Sequence, residues 1–83
     1  MQEYYSMNTT QLCCAEKGCI YEILSVKGVN RCRFAELGFN QGMLVTVSSH
    51  SENGPIKVNI RNYQIALRKE EAEDIIVRIV ERK

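Results

Sequence analysis

Four cysteines are the side chains of this 83-residue sequence best suited to metal or redox chemistry. They are the adjacent pair Cys13 and Cys14, then Cys19 and Cys32. Structural zinc sites use four cysteine or histidine ligands, often in pairs separated by two residues. No such pair occurs, and the single histidine, His50, is distant in sequence. The pattern therefore predicts small reduced thiols without a cofactor. The alternative is a transition-metal module that binds zinc or iron, with Cys13, Cys14, Cys19 and Cys32 as candidate ligands.

The remaining polar residues do not form a recognisable catalytic set. Nucleophilic catalysis needs a nucleophile, a base and an orienting group, and general acid–base catalysis often needs paired carboxylates in a cleft. The acidic residues Glu70, Glu71, Glu73 and Asp74 instead follow one another on a single predicted helical turn, which is typical of a solvated face. The chain also lacks a glycine-rich phosphate-binding motif. We therefore predict that it is not an enzyme.

Composition and charge narrow the class of protein. The net charge is +1, with 45% hydrophobic and 25% charged residues, which are ordinary values for one small globular domain. A barrel that binds nucleic acid would carry a dense basic stripe with stacking aromatics, so this alternative is disfavoured. No apolar run is long enough to span a bilayer, and the N-terminus does not resemble a secretory signal. We therefore expect a cytoplasmic protein without a transmembrane segment.

The sequence around Phe34 predicts a short amphipathic helix. It begins at Arg31 after an Asn30 N-cap and ends at Gly38, which can adopt the left-handed conformation. Phe34 and Leu37 share one face of this helix, and the apolar Phe39 follows the glycine. Because a helix of about two turns is not stable alone, we expect it to close the open end of a small barrel as a plug helix.

Five strands are predicted around this helix, at residues 20–26, 43–49, 56–61, 64–68 and 75–80. Residues 56–61 show the clearest alternation of apolar and polar side chains. One helical turn over residues 69–74 separates the last two strands. Residues 1–9 are expected to be flexible, residues 10–83 form a single domain, and Thr9 or Thr10 is expected to cap a short turn. The fold class is therefore mainly β, a small and partly open barrel, with the OB-fold as the alternative.

In this order and spacing, three segments resemble the family of ferrous iron transport protein A (FeoA). They are residues 31–39 with 42–47, residues 54–56, and residues 63–72 followed by 75–77. The likeness extends from about residue 10 to residue 80. It implies a five-stranded SH3-like barrel with one short plug helix and one helical turn. The cysteines at residues 13 and 14 depart from the apolar, glycine-containing opening that is usual in this family.

The resemblance also implies a function. Members of the family would be accessory proteins of bacterial ferrous iron uptake that dock on the FeoB-type transporter at the cytosolic face of the membrane. Arginine and tyrosine are favoured anchors in protein interfaces, and an equally weighted alternative is that arginine stems shield the barrel edges. The candidate partner-binding residues are Arg31, Arg33, Arg61, Tyr63 and Arg68.

Overall fold

The computed structural model describes residues 9–51 and 54–82. Within these residues, six antiparallel strands form one sheet in the order β1-β6-β2-β3-β4-β5. The strands are β1 (Thr9–Gln11), β2 (Ile20–Val26), β3 (Leu44–His50), β4 (Ile56–Ile60), β5 (Tyr63–Leu67) and β6 (Ile75–Glu81). A 3-10 turn at Leu12–Cys14 follows β1, helix α1 (Arg31–Leu37) lies between β2 and β3, and helix α2 (Lys69–Ala72) lies between β5 and β6.

Strand β4 shows how the sequence pattern builds the core. Ile56, Val58 and Ile60 are buried, whereas the intervening Lys57 and Asn59 are exposed. This alternation follows from the strand geometry, in which successive side chains point to opposite faces of the sheet. The same rule buries Val45 and Val47 of β3, Tyr21 and Ile23 of β2, and Ile75 and Val77 of β6. The interior faces of the strands therefore form one continuous apolar core.

Helix α1 covers this core with Phe34, whose exposed fraction is 0%. Gly38 ends the helix with φ of 102°, and the Phe39 N–H donates to the Phe34 carbonyl at 2.9 Å. This reversal places the Phe39 ring edge-on to Phe34, with ring centroids 5.7 Å apart. Such edge-to-face pairs are the arrangement that aromatic quadrupoles favour. The predicted helix, its glycine end and the returning Phe39 are thus confirmed.

The structure differs from the sequence-based expectation at three short segments. Strand β1 is an additional strand, and its Thr9 and Thr10 pair with β6 and do not cap a turn. Asn30 precedes α1, but its side chain does not cap the helix because its backbone (φ −93°, ψ 12°) lacks the extended conformation of an N-cap. The turn after β4 is centred on Arg61 and Asn62, one residue earlier than predicted.

Two expectations concern residues outside the described part of the chain. Residues 1–8 of the segment expected to be flexible lie there, and only its last residue, Thr9, is described. The dipeptide Asn53-Gly54 predicts a hairpin turn between the second and third predicted strands, and Asn53 also lies outside the described residues.

We expect Phe34→Ala to lower the free energy of unfolding by about 3–5 kcal/mol, because it removes a fully buried ring and leaves a cavity. Urea denaturation followed by circular dichroism measures the change. Val29→Ala is the control, because Val29 is 97% exposed and its truncation should change stability by no more than about 0.5 kcal/mol. Equal effects of the two substitutions would contradict the role assigned to Phe34.

Candidate functional site

Cys13 and Cys14 lie side by side on the 3-10 turn after β1. Leu12 anchors this turn in the core, and the Ala15 N–H closes it by donating to the Leu12 carbonyl at 3.0 Å. Cys13 is 9% exposed and Cys14 is exposed, and their sulfur atoms are 3.8 Å apart. The Cys13 thiol also donates to Oε1 of Gln11 at 3.7 Å. The two thiols therefore have fixed positions at the boundary between the core and solvent.

The cysteine pair opens into a cleft of about 420 Å³. His50, at the end of β3, lines the same cleft, although it is far from the cysteines in sequence. Its complete lining is Cys13, Cys14, His50, Ser51, Gly54, Ile56 and Lys69. Sequence reasoning separated His50 from the cysteines, because only the pairing of strands brings the end of β3 beside the turn. The cleft thus combines two thiols, one imidazole and one ammonium group.

The four candidate cysteine ligands do not gather into one site. Cys19 is buried, and Cys32 is exposed on α1. Across residues 9–51 and 54–82, no three histidine, cysteine, aspartate or glutamate side chains are grouped so that they could hold a metal ion. The structure therefore brings together Cys13 and Cys14 but does not assemble the four-ligand set that zinc prefers.

The environment of Cys13 favours its protonated form. Desolvation by burial, followed by the hydrogen bond and charge interaction with Cys14, raises the pKa of Cys13 from 9.0 to about 11. Burial acts in this direction because a thiolate loses the hydration that stabilises its charge in water. Cys13 is consequently a thiol at neutral pH.

Two of the candidate partner-binding residues lie together beside the end of α1. Arg61, with φ of 57°, forms the turn between β4 and β5, and Tyr63 begins β5. The Tyr63 hydroxyl donates to the Leu37 carbonyl at the C-terminal end of α1. A Cβ atom on Gly38 would lie 3.3 Å from this hydroxyl and 3.8 Å from Nε of Arg61. Because Tyr63 remains 46% exposed, the end of α1 and this turn form one accessible surface.

Arg33 and Arg68 instead both contact Glu71 of α2. The Arg33 guanidinium donates to Oε2 of Glu71 at 2.7 Å, and the Arg68 backbone N–H donates to Oε1 at 3.0 Å. Arg33 also lies over the Phe34 ring, 5.1 Å from its centroid. Glu71 therefore connects the two helices, and its partners have a structural role in addition to any role in binding.

A second cleft, of about 580 Å³, lies beside the first and is lined by Gly54, Pro55, Ala66, Leu67, Arg68, Lys69 and Glu70. It shares Gly54 and Lys69 with the cysteine cleft. The remaining candidate, Arg31, is exposed at the first position of α1. The five candidate residues are thus all exposed, but they divide among the C-terminal end of α1, its first position, the Glu71 contacts and this second cleft.

The model of the FeoA domain family matches residues 10–79, which is most of the chain. The chain belongs to the FeoA family. This confirms the resemblance carried by the segments around Phe34, Gly54 and Tyr63. Membership also gives the chain a role related to ferrous iron transport. A comparison with curated proteins finds no match to the sequence.

Solved FeoA proteins have the same fold. An iron uptake regulatory protein (FeoA) is similar with a TM-score of 0.81 and 20% identity, over 87% of this chain and 99% of that chain. FeoA from Chlorobium tepidum is 31% identical with a TM-score of 0.78, over 86% of this chain and 70% of that chain. FeoA from Stenotrophomonas maltophilia is a prokaryotic SH3 domain protein that was solved with zinc. It is 24% identical with a TM-score of 0.77, over 89% of this chain and 99% of that chain. The SH3-like fold is therefore confirmed.

In the described ranges 9–51 and 54–82, no helix has both the length and the apolar character that a membrane span requires.

The raised pKa of Cys13 predicts a pH dependence of stability. Between about pH 9 and pH 11 the unfolded chain releases the Cys13 proton while the folded chain retains it, so the free energy of unfolding should fall as the pH rises. Urea unfolding at several pH values measures this decline. Cys13→Ser should reduce the slope, whereas the matched Cys32→Ser variant at an exposed position should retain it. A slope that is unchanged by Cys13→Ser would contradict the assignment.

Proposed function

We propose that this chain is a cytoplasmic accessory protein of bacterial ferrous iron uptake that binds the cytosolic side of a FeoB-type membrane transporter. The observation that carries the proposal is the match of the FeoA family model to residues 10–79. The Stenotrophomonas maltophilia relative, which has been suggested to activate ferrous iron transport, supports it. The chain would act by binding and biasing the transporter conformation, while the membrane protein moves the iron.

The surface beside the end of α1 is the best candidate for this contact. Tyr63 presents a half-exposed ring whose hydroxyl is already fixed by Leu37, so binding would immobilise little additional side-chain freedom. Arg61 is adjacent, and in the described part of the chain its guanidinium forms no ion pair. An unpaired arginine beside an ordered tyrosine is a typical pair of interface anchors.

Arg31 has the same availability, because it is exposed at the start of α1 and, among the residues described, forms no ion pair. Arg33 is less available because its guanidinium pairs with Glu71, and Arg68, whose backbone N–H contacts the same carboxylate, lines the second cleft. We therefore assign the main contact to Arg61 and Tyr63, with Arg31 contributing charge, and place Arg33 and Arg68 at its margin.

The test is binding of the purified chain to a detergent-solubilised FeoB-type transporter from the same genome. We expect a saturable complex at micromolar concentrations. The single variants Arg61→Ala, Tyr63→Phe and Tyr63→Ala should each weaken it. Loss of a central aromatic or arginine anchor typically costs about 2 kcal/mol or more, which is roughly thirtyfold in affinity.

Arg82→Ala is the matched control, because Arg82 is also an exposed arginine but contacts Glu16 and not the end of α1. It should leave the affinity unchanged. Tyr63→Phe separates ring contact from the hydroxyl bond to Leu37, and thermal melting of each variant reports loss of fold. If the wild-type chain does not bind the transporter at these concentrations, the proposed function is wrong.

A further inference from the structure

The Cys13–Cys14 pair has the geometry of a binding site for a soft metal ion with few ligands. The two sulfur atoms are 3.8 Å apart on a turn that several contacts hold in place. Gln11, immediately before the turn, lies in β1, and its side-chain amide donates to the Glu73 carbonyl at 3.1 Å. Leu12, the first residue of the turn, is fully buried in the core. The thiols are therefore positioned by the fold before any ligand arrives.

The separation of the sulfur atoms suits simultaneous binding to one ion. With metal–sulfur bonds of about 2.3 Å, two sulfur atoms on a common ion can be at most about 4.6 Å apart. The observed 3.8 Å corresponds to a sulfur–metal–sulfur angle of about 110° for bonds of that length. A linear arrangement with the same bonds would need the sulfur atoms about 4.6 Å apart, which is about 0.8 Å more than the observed separation.

The number of donors decides which metal fits. Zinc requires four ligands in structural sites, and oxygen-seeking divalent ions require six or more. Within residues 9–51 and 54–82 no group of even three suitable donors exists. Soft thiolates favour Cu(I), which is satisfied by few sulfur ligands. We propose that Cys13 and Cys14 together bind one Cu(I) ion at the mouth of the cleft they share with His50 and Lys69.

Binding would replace two S–H bonds by two sulfur–copper bonds and release two protons, with no change in oxidation state. The resulting bis-thiolate complex carries one negative charge. Lys69 lines the same cleft and its positive charge offsets that of the complex, whereas the negative charge of Glu73 also acts on Cys13, with the opposite sign. Cys14 is exposed, so the ion can reach the pair from solvent without opening the core.

This site is independent of the proposed binding to a transporter, because its residues differ from Arg61 and Tyr63. The experiment is an anaerobic titration of the reduced full chain with Cu(I) in competition with a chromogenic Cu(I) chelator. We expect a one-to-one complex, and X-ray absorption should show at least two sulfur neighbours around copper. Parallel titrations with zinc and ferrous iron should give no comparable complex.

Cys14→Ser should abolish the one-to-one complex, and because Cys14 is exposed this change leaves the core intact. Cys32→Ser is the matched control at another exposed cysteine and should bind Cu(I) as the wild type does. Circular dichroism of both variants checks that they are folded. The proposal would be overturned if folded Cys14→Ser retained the complex or if Cys32→Ser lost it. A copper environment without sulfur, or tighter binding of zinc at the same pair, would also overturn it.

Discussion

The contact between Phe34 and Phe39 is the interaction on which the other features depend. The two rings can meet only because Gly38 reverses the chain with a positive φ, a conformation that other residues adopt at a cost. The contact turns a helix of seven residues, too short to be stable in water, into a cover for the core. The burial of the two rings also fixes where the two ends of α1 lie relative to the sheet.

Two polar contacts extend this arrangement to the surface. At the C-terminal end of α1, the Leu37 carbonyl accepts a hydrogen bond from the Tyr63 hydroxyl, and this bond orders the β4–β5 turn. Along its side, Arg33 reaches Glu71 and connects α1 to α2. Because these groups are partly exposed, each contact contributes little to stability. Their consequence is positional, since they fix side chains on the surface to which we assign partner binding.

The cysteine cleft is assembled by different elements. The polar strand β1 holds the 3-10 turn against β6, and the end of β3 supplies the opposite wall. The two proposed activities are thus carried by separate parts of one small domain. In these proposals, one surface would use arginine and tyrosine to recognise a protein, while the other would use two thiols whose positions suit a soft ion. Among the described residues, one core of seventeen buried residues underlies both surfaces.

The alternation in strands such as β4, the apolar spacing of α1 and the position of Gly38 were sufficient to predict five strands and the plug helix, while the family came from the resemblance of three segments. These features are local, since they depend on side-chain period and on the backbone freedom of glycine. Strand β1 escaped prediction because its residues, Thr9, Thr10 and Gln11, show no apolar period and become a strand only by pairing with β6. The sequence also identified Cys13 and Cys14 as chemically interesting. Only the tertiary structure decided that their sulfur atoms converge, that His50 faces the same cleft and that Cys19 and Cys32 lie elsewhere, because these relations depend on strand pairing between residues distant in sequence.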